Sequence, residues 1–260
     1  MTMHVFVGLL GLAAVFWATI VAGQSTHNFT GFLHKPALIL LCLAPPFIAV
    51  ISYRLEELLD TLRSVAQALR RSPSRARAEL FDDLTRFATE VRRGRPVEAL
   101  SAAEQSTHPL VQKIAPLVVK QYETSEIEST ASTASYVAGS TLKRSEEVLT
   151  TLARVAPAMG LVGTTLGLIT LLRDLSDFSQ LGPSMALALL CTLYGLVLAN
   201  AVYQPLARLV HVHILVTAEE ARLVTRGLTL VAEGKPIADV KNLFSEAEGA
   251  ASLRADPAVG

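Results

Sequence analysis

The chain has 260 residues, of which 51% are hydrophobic and 18% are charged, and its mean hydropathy is +0.41. This composition is too apolar for an ordinary soluble domain and indicates a membrane protein. Basic and acidic residues each number 23, so the chain lacks the excess positive charge that nucleic-acid binding requires.

The cysteines and histidines indicate neither a disulfide framework nor a metal site. Cys42 and Cys191 both lie inside apolar runs, and we interpret them as small core residues. The closest histidines, His211 and His213, are two positions apart, so their rings lie on different faces of a helix. We expect no zinc ion, no cofactor and no nucleic-acid partner.

Two apolar stretches near the N-terminus predict membrane spans. The first comprises residues 5–23 and the second residues 36–53. A cleaved signal peptide is the alternative for the first stretch, but no basic residue precedes it and more spans follow. Pro45 and Pro46, in the middle of the second stretch, predict a kink or a break in that helix.

The distribution of basic residues predicts the topology. Residues 54–150 contain 14 of the 23 lysines and arginines, whereas the two short connectors hold only Lys35 and Arg173. Because loops rich in basic residues stay in the cytoplasm, we expect this segment and both termini to be cytoplasmic. Two further spans follow, so the sequence predicts four spans joined by two thin external loops.

The cytoplasmic segment begins as a series of helices. Apolar residues recur at helical spacing in residues 55–69 and 80–91, which predicts two amphipathic helices. Pro96 opens a short helix, and Thr107 and Pro109 are typical of the cap and the first-turn proline of another.

Two long helices are predicted to continue out of the membrane. The Ser-, Thr- and Ala-rich residues 125–145 are a low-complexity linker or, since no Gly/Pro cluster interrupts them, a helix that runs into the third span. The fourth span continues to about Glu233, although the Val/Ile content of residues 209–216 is also typical of a strand. Gly234 ends this helix, a short helix follows, and residues 249–260 form a frayed tail.

These features divide the chain into four parts. They are the first two spans (1–53), a cytoplasmic helical domain (54–150), the third and fourth spans (151–212), and C-terminal cytoplasmic helices with a tail (213–260). We therefore expect an all-α membrane protein whose third and fourth transmembrane helices extend into the cytoplasm.

Small residues in the third span predict close helix packing. Gly160, Gly163 and Gly167 lie on neighbouring turns, where they let another backbone approach. Packing alone is enough to explain this pattern.

Hydroxyl side chains occur in both arms of the hairpin that the third and fourth spans form. In an antiparallel hairpin Thr164, with Thr165 beside it, reaches a depth similar to that of Thr192. The oxygens of Thr164 and Thr192 either face one cation or each bond the carbonyl one turn back, which is common in membrane helices.

Prolines occupy the cytoplasmic ends of the same two spans, at positions Pro157 and Pro205. A proline frees a carbonyl and weakens the helix locally, so each marks a static bend or a hinge. Their symmetric placement favours a hinge.

The four predicted spans contain no Asp, Glu or Lys. Ion paths across a bilayer use titrating or charge-compensating groups of this kind. If this chain moves ions, a partner must therefore supply the group.

Residues APAMGLVGTTLGL (156–168) and GPSMALALLCTLYG (182–195), followed by Ala199, Asn200 and Pro205, resemble the signature of the MotA/TolQ/ExbB channel superfamily. The four-span topology is similar to that of its flagellar stator branch, MotA and PomA, whereas TolQ and ExbB have three spans.

The resemblance implies a homo-pentamer in the bacterial inner membrane, surrounded by lipid and enclosing a dimer of a single-span MotB-like partner. The partner's membrane Asp would carry Na⁺ or H⁺, and ion flow would rotate the ring. Threonines at positions 164 and 192 are similar to those of sodium-type stators, but TolQ and ExbB carry similar threonines with protons. The residues implied to line the path are Thr164, Thr165, Thr192 and Tyr194.

The resemblance also implies a contact with a cytoplasmic rotor. In the stator family a helix with basic residues followed by a Leu-Glu motif meets the rotor, but here the position of the acidic residue is Ser101. A TolQ/ExbB-like role in energising another envelope machine is therefore the alternative to flagellar rotation. The candidate contact residues of this chain are Arg92, Arg93, Arg95, Glu98 and Glu104.

The sequence thus predicts a non-enzymatic, ion-conducting subunit of a rotary motor. A structural membrane scaffold is a second class of function, in which the threonines and prolines only pack helices. A secondary transporter is disfavoured, since the predicted spans lack charge and the chain lacks two similar halves.

Overall fold

The computed structural model describes residues 34–70, 73–173 and 178–255, together with residues 10, 11 and 14. Apart from those three positions, the predicted first span, residues 5–23, lies outside the described residues.

Helix is the regular secondary structure of the described residues, as predicted. The helices in chain order are α1 (Lys35–Ser52), α2 (Leu55–Arg70), α3 (Pro73–Arg92), α4 (Pro96–Glu104), α5 (Pro109–Val119), α6 (Thr124–Arg173), α7 (Phe178–Val197), a π-helical segment (Leu198–Tyr203), α8 (Gln204–Ala232) and α9 (Ile237–Ala255).

Three of the described helices are long and apolar enough to cross a membrane. They are Lys35–Ser52, Thr124–Arg173 and the continuous run Leu181–Ala232, which contains α7, the π-helical segment and α8. They coincide with the predicted second, third and fourth spans. Helix α1 is continuous through Pro45 and Pro46, so the predicted break does not occur, because the fixed φ of proline is itself helical.

The chain divides into two compact units. The first unit consists of residues 1–70 and 141–212, and the second of residues 71–140 and 213–260. The sequence could not predict this division, because helices α6 and α8 each belong to both units.

In the first unit, helices α1 and α7 pack through a small apolar cluster. Ala37 and Leu41 of α1 are buried with Leu190 and Cys191 of α7. Helix α2 contacts α6 through polar groups.

The second unit has the larger apolar core, to which α3, α4, α5, α6, α8 and α9 contribute. Phe87, Ile114 and Leu228 are fully buried, and the rings of Phe81 and Phe244 meet edge to face with centroids 5.2 Å apart. Burying one such side chain is worth about 1.5–3 kcal/mol, so this core stabilises the unit.

The starts of the short helices test the predicted caps. Pro96 and Pro109 are the first residues of α4 and α5, as predicted. The predicted cap at Thr107 is wrong, since the N-cap is His108 and its side chain makes no capping bond. The backbone N–H of Thr107 instead donates to a carboxylate oxygen of Asp83 at 3.1 Å.

Both long helices continue beyond the apolar segments, as predicted. Helix α6 is unbroken over 50 residues, and α8 ends before Gly234, whose φ is +70°. The predicted tail of residues 249–260 is wrong for residues 249–255, because α9 runs to Ala255, and residues 256–260 lie outside the described residues. Alanine is the best helix former, and the alanines around Gly249 offset the roughly 1 kcal/mol that a glycine costs.

Candidate functional site

The two threonines that the sequence places at similar depth are in direct contact. The Oγ1 atoms of Thr164 on α6 and Thr192 on α7 are 2.6 Å apart, in a partly buried position. This distance is that of a short hydrogen bond between hydroxyls.

Two backbone carbonyl oxygens complete a group of four oxygens around this contact. Thr164 Oγ1 lies 3.0 Å from the carbonyl oxygen of Gly160 and 3.0 Å from that of Ala188. The hydroxyl has one proton, so it donates to one of these carbonyl oxygens at a time, and its lone pairs can accept a hydrogen bond from the hydroxyl of Thr192. The bond to the carbonyl one turn back and the contact across the hairpin therefore coexist at Thr164.

Glycines bring the two backbones close enough for the threonines to meet. A Cβ added at Gly160 would lie 2.9 Å from the carbonyl oxygen of Cys191, and one at Gly167 would lie 2.9 Å from the backbone nitrogen of Ala188. Gly195 on the facing helix has the same property, since its Cβ would lie 2.8 Å from the carbonyl oxygen of Ala156. No side chain larger than hydrogen fits at these positions without moving a backbone.

Gly163 faces a side chain rather than a backbone. A Cβ added there would lie 2.5 Å from Sγ of Cys191 and 3.1 Å from Cδ2 of Leu40. All three glycines singled out in the third span thus face α7, and Gly163 also faces α1.

Thr165 and Tyr194 do not join the threonine pair. Thr165 is exposed and donates to the carbonyl oxygen of Leu161 at 3.0 Å. The hydroxyl of Tyr194 accepts a long hydrogen bond of 3.4 Å from the backbone N–H of His34. Tyr194 therefore lies against the start of α1.

The two prolines have different local structures. Pro157 lies inside the continuous helix α6. Pro205 lies two residues after the π-helical segment Leu198–Tyr203, and the N–H of the intervening Gln204 donates to the carbonyl of Ala199, five residues earlier. The wider turn accommodates the missing N–H of Pro205. A proline in an apolar helix predicts a bend or a hinge, but it does not reveal the type of helix.

The candidate rotor-contact residues are exposed around the turn between α3 and α4 and along α4. Arg93 forms an ion pair of 2.9 Å with Glu90, and Arg95 lies 3.9 Å from the other oxygen of the same carboxylate. The sequence reasoning missed Glu90, whose spacing of three residues from Arg93 at the end of α3 is a signal for such a pair. The exposed side chains are those of Arg92, Arg93, Arg95, Glu98 and Glu104.

A buried polar pair in the second unit was also missed. Glu220 of α8 is 0% exposed, and its Oε2 lies 3.7 Å from Nε2 of His108, which is also buried. Next to it, Glu219 forms an ion pair of 2.7 Å with Arg77. The sequence alone does not show which of the adjacent Glu219 and Glu220 is buried.

The apolar arms contain no acidic residue and no lysine. Residues 155–172 and 181–207 include no Asp, Glu or Lys. In the part of the chain that the structure describes, no group of three or more His, Cys, Asp or Glu side chains is placed to hold a metal ion. The oxygen group around Thr164 is a polar feature of this hairpin whose oxygens could face an ion.

Comparisons with known proteins identify the family. The family model described as the MotA/TolQ/ExbB proton channel family matches residues 101–234. Motility protein A of Aquifex aeolicus (strain VF5) is 27% identical over 205 residues, which cover 76% of this chain and 79% of that protein. The chemotaxis protein PomA of Vibrio alginolyticus is 40% identical over 81 residues, which cover 31% of this chain and 32% of PomA.

Solved structures share the fold at low sequence identity. The C. jejuni MotAB structure superposes with a TM-score of 0.80 at 19% identity and covers 94% of this chain and 95% of the matched chain. The flagellar MotAB stator complex of Bacillus subtilis gives a TM-score of 0.76 at 17% identity, with 90% and 92% covered. The family match spans the threonine pair, the glycines and the π-helical segment, and this chain belongs to the MotA/TolQ/ExbB proton channel family.

Proposed function

We propose that this chain is the ion-conducting, stator-type subunit of a rotary motor, and that the motor drives flagellar rotation. The relatives named Motility protein A and PomA, and the fold shared with MotAB structures, support this proposal. The observation that carries it is the contact between Thr164 and Thr192, an oxygen pair held between two apolar arms that lack acidic residues.

In this proposal the protein has four spans in the bacterial inner membrane, with both termini in the cytoplasm. Three spans correspond to α1, the apolar part of α6 and the apolar part of the run Leu181–Ala232. The remaining span, which is the first in the chain, is residues 5–23. The positive-inside rule gives the orientation of all four spans.

The proposed partner is a single-span MotB-like protein with a membrane Asp. The threonine pair offers oxygens but no negative charge, so a cation in this path requires a carboxylate from another chain. The matched structures are those of C. jejuni MotAB and of the flagellar MotAB stator complex of Bacillus subtilis, which supports a MotB-like partner. We propose further that five copies of the present chain surround a dimer of this partner.

The proposed transported ion is Na⁺, with H⁺ as the alternative. Hard cations prefer oxygen ligands, and Thr164 Oγ1 has a second hydroxyl and two carbonyl oxygens within 3.0 Å. A sodium ion crossing the hairpin at this depth would exchange water oxygens for these protein oxygens.

Ion replacement in the medium tests this function. In a strain that depends on this chain, swimming speed is measured with sodium replaced by potassium at constant pH and membrane potential. We expect speed to fall without sodium, and Thr164→Ala to reduce it at every sodium concentration. Thr165→Ala is the matched control, because the exposed Thr165 hydroxyl bonds only its own helix in the structure.

Two outcomes would overturn parts of the proposal. If speed follows pH and an uncoupler while ignoring sodium, the ion is H⁺. If neither ion gradient affects the phenotype, or if Thr164→Ala behaves like the wild type, the chain is not a stator that uses the threonine pair.

A second candidate function is a TolQ/ExbB-like role in another envelope machine. The observation that favours it is the exposed Ser101 at the place of the rotor-facing acidic residue, between the exposed Glu98 and Glu104. Deletion of the gene distinguishes the two, since loss of motility supports the flagellar role, and loss of envelope integrity with normal motility supports the second.

A further inference from the structure

A cavity of about 530 Å³ lies where helix α1 ends and α2 begins. Its walls are the last turn of α1, the connector to α2, the first turn of α2 and one arginine of α6, all within the first unit. The proposed ion path uses none of these residues. The lining side chains are those of Ile51, Ser52, Tyr53, Arg54, Glu57 and Arg144.

The cavity lies directly beyond the end of an apolar helix of membrane-spanning length. Helix α1 has 18 residues, which is about 27 Å and close to the roughly 30 Å of the hydrocarbon core of a bilayer. Arg54 is the first charged residue after this apolar stretch. The hydroxyl of Tyr53 lies 2.8 Å from Oγ1 of Thr151 and joins this end of α1 to α6. A helix of this length that crosses the membrane therefore places the cavity at the level of the lipid headgroups.

An exposed apolar stripe on α1 leads to the cavity. Ile39, Leu43, Phe47 and Ile51 follow one another at intervals of four residues, so they form one ridge along the helix. All four side chains are more than half exposed, and Ile51 is itself part of the cavity wall. Lipid acyl chains along this ridge would bring their headgroups to the cavity.

Two arginines flank one carboxylate inside the cavity. Nη1 of Arg144 lies 3.0 Å from Oε1 of Glu57, and the backbone N–H of Arg54 donates to Oε2 of the same carboxylate at 3.2 Å. Both oxygens of Glu57 are therefore engaged, and the carboxylate holds the start of α2 against α6. This arrangement brings the side chains of Arg54 and Arg144 to one cavity.

The two guanidinium groups keep most of their hydrogen-bond donors. Each has five N–H donors, and the Arg144 side chain, whose Nη1 contacts Glu57, is still 63% exposed. Among the residues that the structure describes, no acidic side chain lies within ion-pair distance of the Arg54 guanidinium. The hydroxyl of Ser52 donates to the carbonyl of Ile48, so the arginines are the donors that an anion would meet.

The lining contains two positive side chains and one negative side chain, so one positive charge is not compensated. A choline or ethanolamine group would find no free carboxylate oxygen, whereas guanidinium groups bind phosphate oxygens through paired hydrogen bonds. Basic pockets beside membrane helices bind anionic headgroups in this way. We propose that the cavity binds the phosphate of an anionic phospholipid, phosphatidylglycerol in chemical type, whose acyl chains lie along the apolar ridge of α1.

This inference shares one element with the proposed function, namely the placement of α1 across the membrane with the cavity on the cytoplasmic side. It needs neither ion flow nor a partner chain. Lipid binding is therefore measured on the purified full chain, and a chain that binds lipid without supporting swimming would contradict the proposed function alone.

Lipid titration of the full chain in an uncharged detergent tests the inference. The melting temperature is recorded against the concentration of dioctanoyl phosphatidylglycerol, dioctanoyl phosphatidylcholine or inorganic phosphate. We expect a saturable rise with phosphatidylglycerol, at an apparent Kd severalfold lower than for phosphatidylcholine, and no saturable rise with inorganic phosphate.

Arginine variants locate the binding site. Arg54→Gln should raise the apparent Kd for phosphatidylglycerol roughly fivefold, the usual effect of one basic residue near a charged lipid surface. Because Arg54 makes no side-chain ion pair with a described residue, the melting temperature without lipid should stay the same. Arg63→Gln is the matched control, since it removes the same charge from α2 at a position outside the cavity.

Four results would overturn the inference. The absence of a saturable rise would show that the cavity does not bind the lipid, and equal Kd values for the two lipids would show that the negative charge is not recognised. Inorganic phosphate binding as tightly as phosphatidylglycerol would identify a site for a free anion. Equal weakening by Arg54→Gln and Arg63→Gln would show general attraction to the surface instead of binding in the cavity.

Discussion

A methyl group added at Gly163 would lie 2.5 Å from Sγ and 2.7 Å from Cβ of Cys191. The second distance matters more, because a Cβ is fixed to the backbone and moves only if the helix moves. Gly163→Ala therefore forces α6 and α7 apart. We expect a loss of about 1–3 kcal/mol, the usual cost of overpacking, measured as a lower unfolding temperature of the purified protein in detergent.

Two further variants separate this clash from a general effect of alanine. Gly139, on the same helix, has nothing within 4 Å of an added Cβ, so Gly139→Ala should be neutral or slightly stabilising. The double variant Gly163→Ala with Cys191→Gly removes both contacting atoms and should recover part of the loss. If Gly163→Ala and Gly139→Ala unfold at the same temperature, the close approach of α6 and α7 is not the cause of the loss of stability.

Local patterns predicted much of the fold. The spacing of the leucines in residues 55–69 is enough to recognise α2, and Pro96 and Pro109 mark their helix starts because the first turn lacks N–H partners in any case. These signals lie within a few residues of the element they determine, so no knowledge of distant contacts is needed.

Features that depend on distant contacts were not predictable. The periodicity of α2 shows an apolar face but not that Leu55, Leu59 and Leu62 on this face are exposed. Likewise, the hydrogen bond between His34 and Tyr194 joins residues 160 positions apart, and the burial of Glu220 depends on the arrangement of the second unit. The contact between Thr164 and Thr192 was accessible to sequence reasoning because a short hairpin fixes the relative depth of its two arms.

The hydrogen bond between Thr164 and Thr192 should appear as a coupling energy. Valine has nearly the shape of threonine without the hydroxyl, so Thr164→Val, Thr192→Val and the double variant form a thermodynamic cycle. We expect a coupling of about 0.5–1.5 kcal/mol, the range for hydrogen bonds between membrane helices. Unfolding free energies in mixed micelles would measure it.

The control is a second cycle in which Thr165→Val takes the place of Thr192→Val. Thr165→Val removes a hydroxyl that bonds the carbonyl of Leu161 on the same helix. Its coupling to Thr164→Val, across adjacent positions, should be smaller than that of the pair. A larger coupling at position 165 would contradict the direct contact between Thr164 and Thr192.

The buried pair of His108 and Glu220 should matter more than an exposed ion pair. His108→Leu leaves the fully buried Glu220 without one of its partners, at a cost of about 1–3 kcal/mol. Arg63 and Asp60 form an exposed pair at 3.0 Å, so Arg63→Ala should cost about 0–1 kcal/mol. Comparing the unfolding temperatures of the two variants tests this ranking, which fails if Arg63→Ala is the more damaging change.

Pro205 should maintain the π-helical segment that precedes it. Pro205→Ala supplies an N–H that can bond the carbonyl of Ala201, four residues earlier, and so favours an ordinary α-helical turn. The wide turn holds one residue more than an α-helical turn, so tightening it rotates the following part of the helix by about 100° relative to the preceding part. We expect this rotation to lower the ion-driven activity. Thermal stability should be kept or raised, because a proline inside a helix costs about 3 kcal/mol.

Distances between spin labels on either side of the segment detect this rotation. Leu189 and Leu215 are both exposed and flank Leu198–Tyr203, so Leu189→Cys and Leu215→Cys are labelled in a Cys42→Ser background with and without Pro205→Ala. Pro157→Ala is the comparison, since α6 is an unbroken α-helix around Pro157 and should keep its geometry. An unchanged distance distribution after Pro205→Ala would show that neighbouring helices, rather than the proline, hold the wide turn in place.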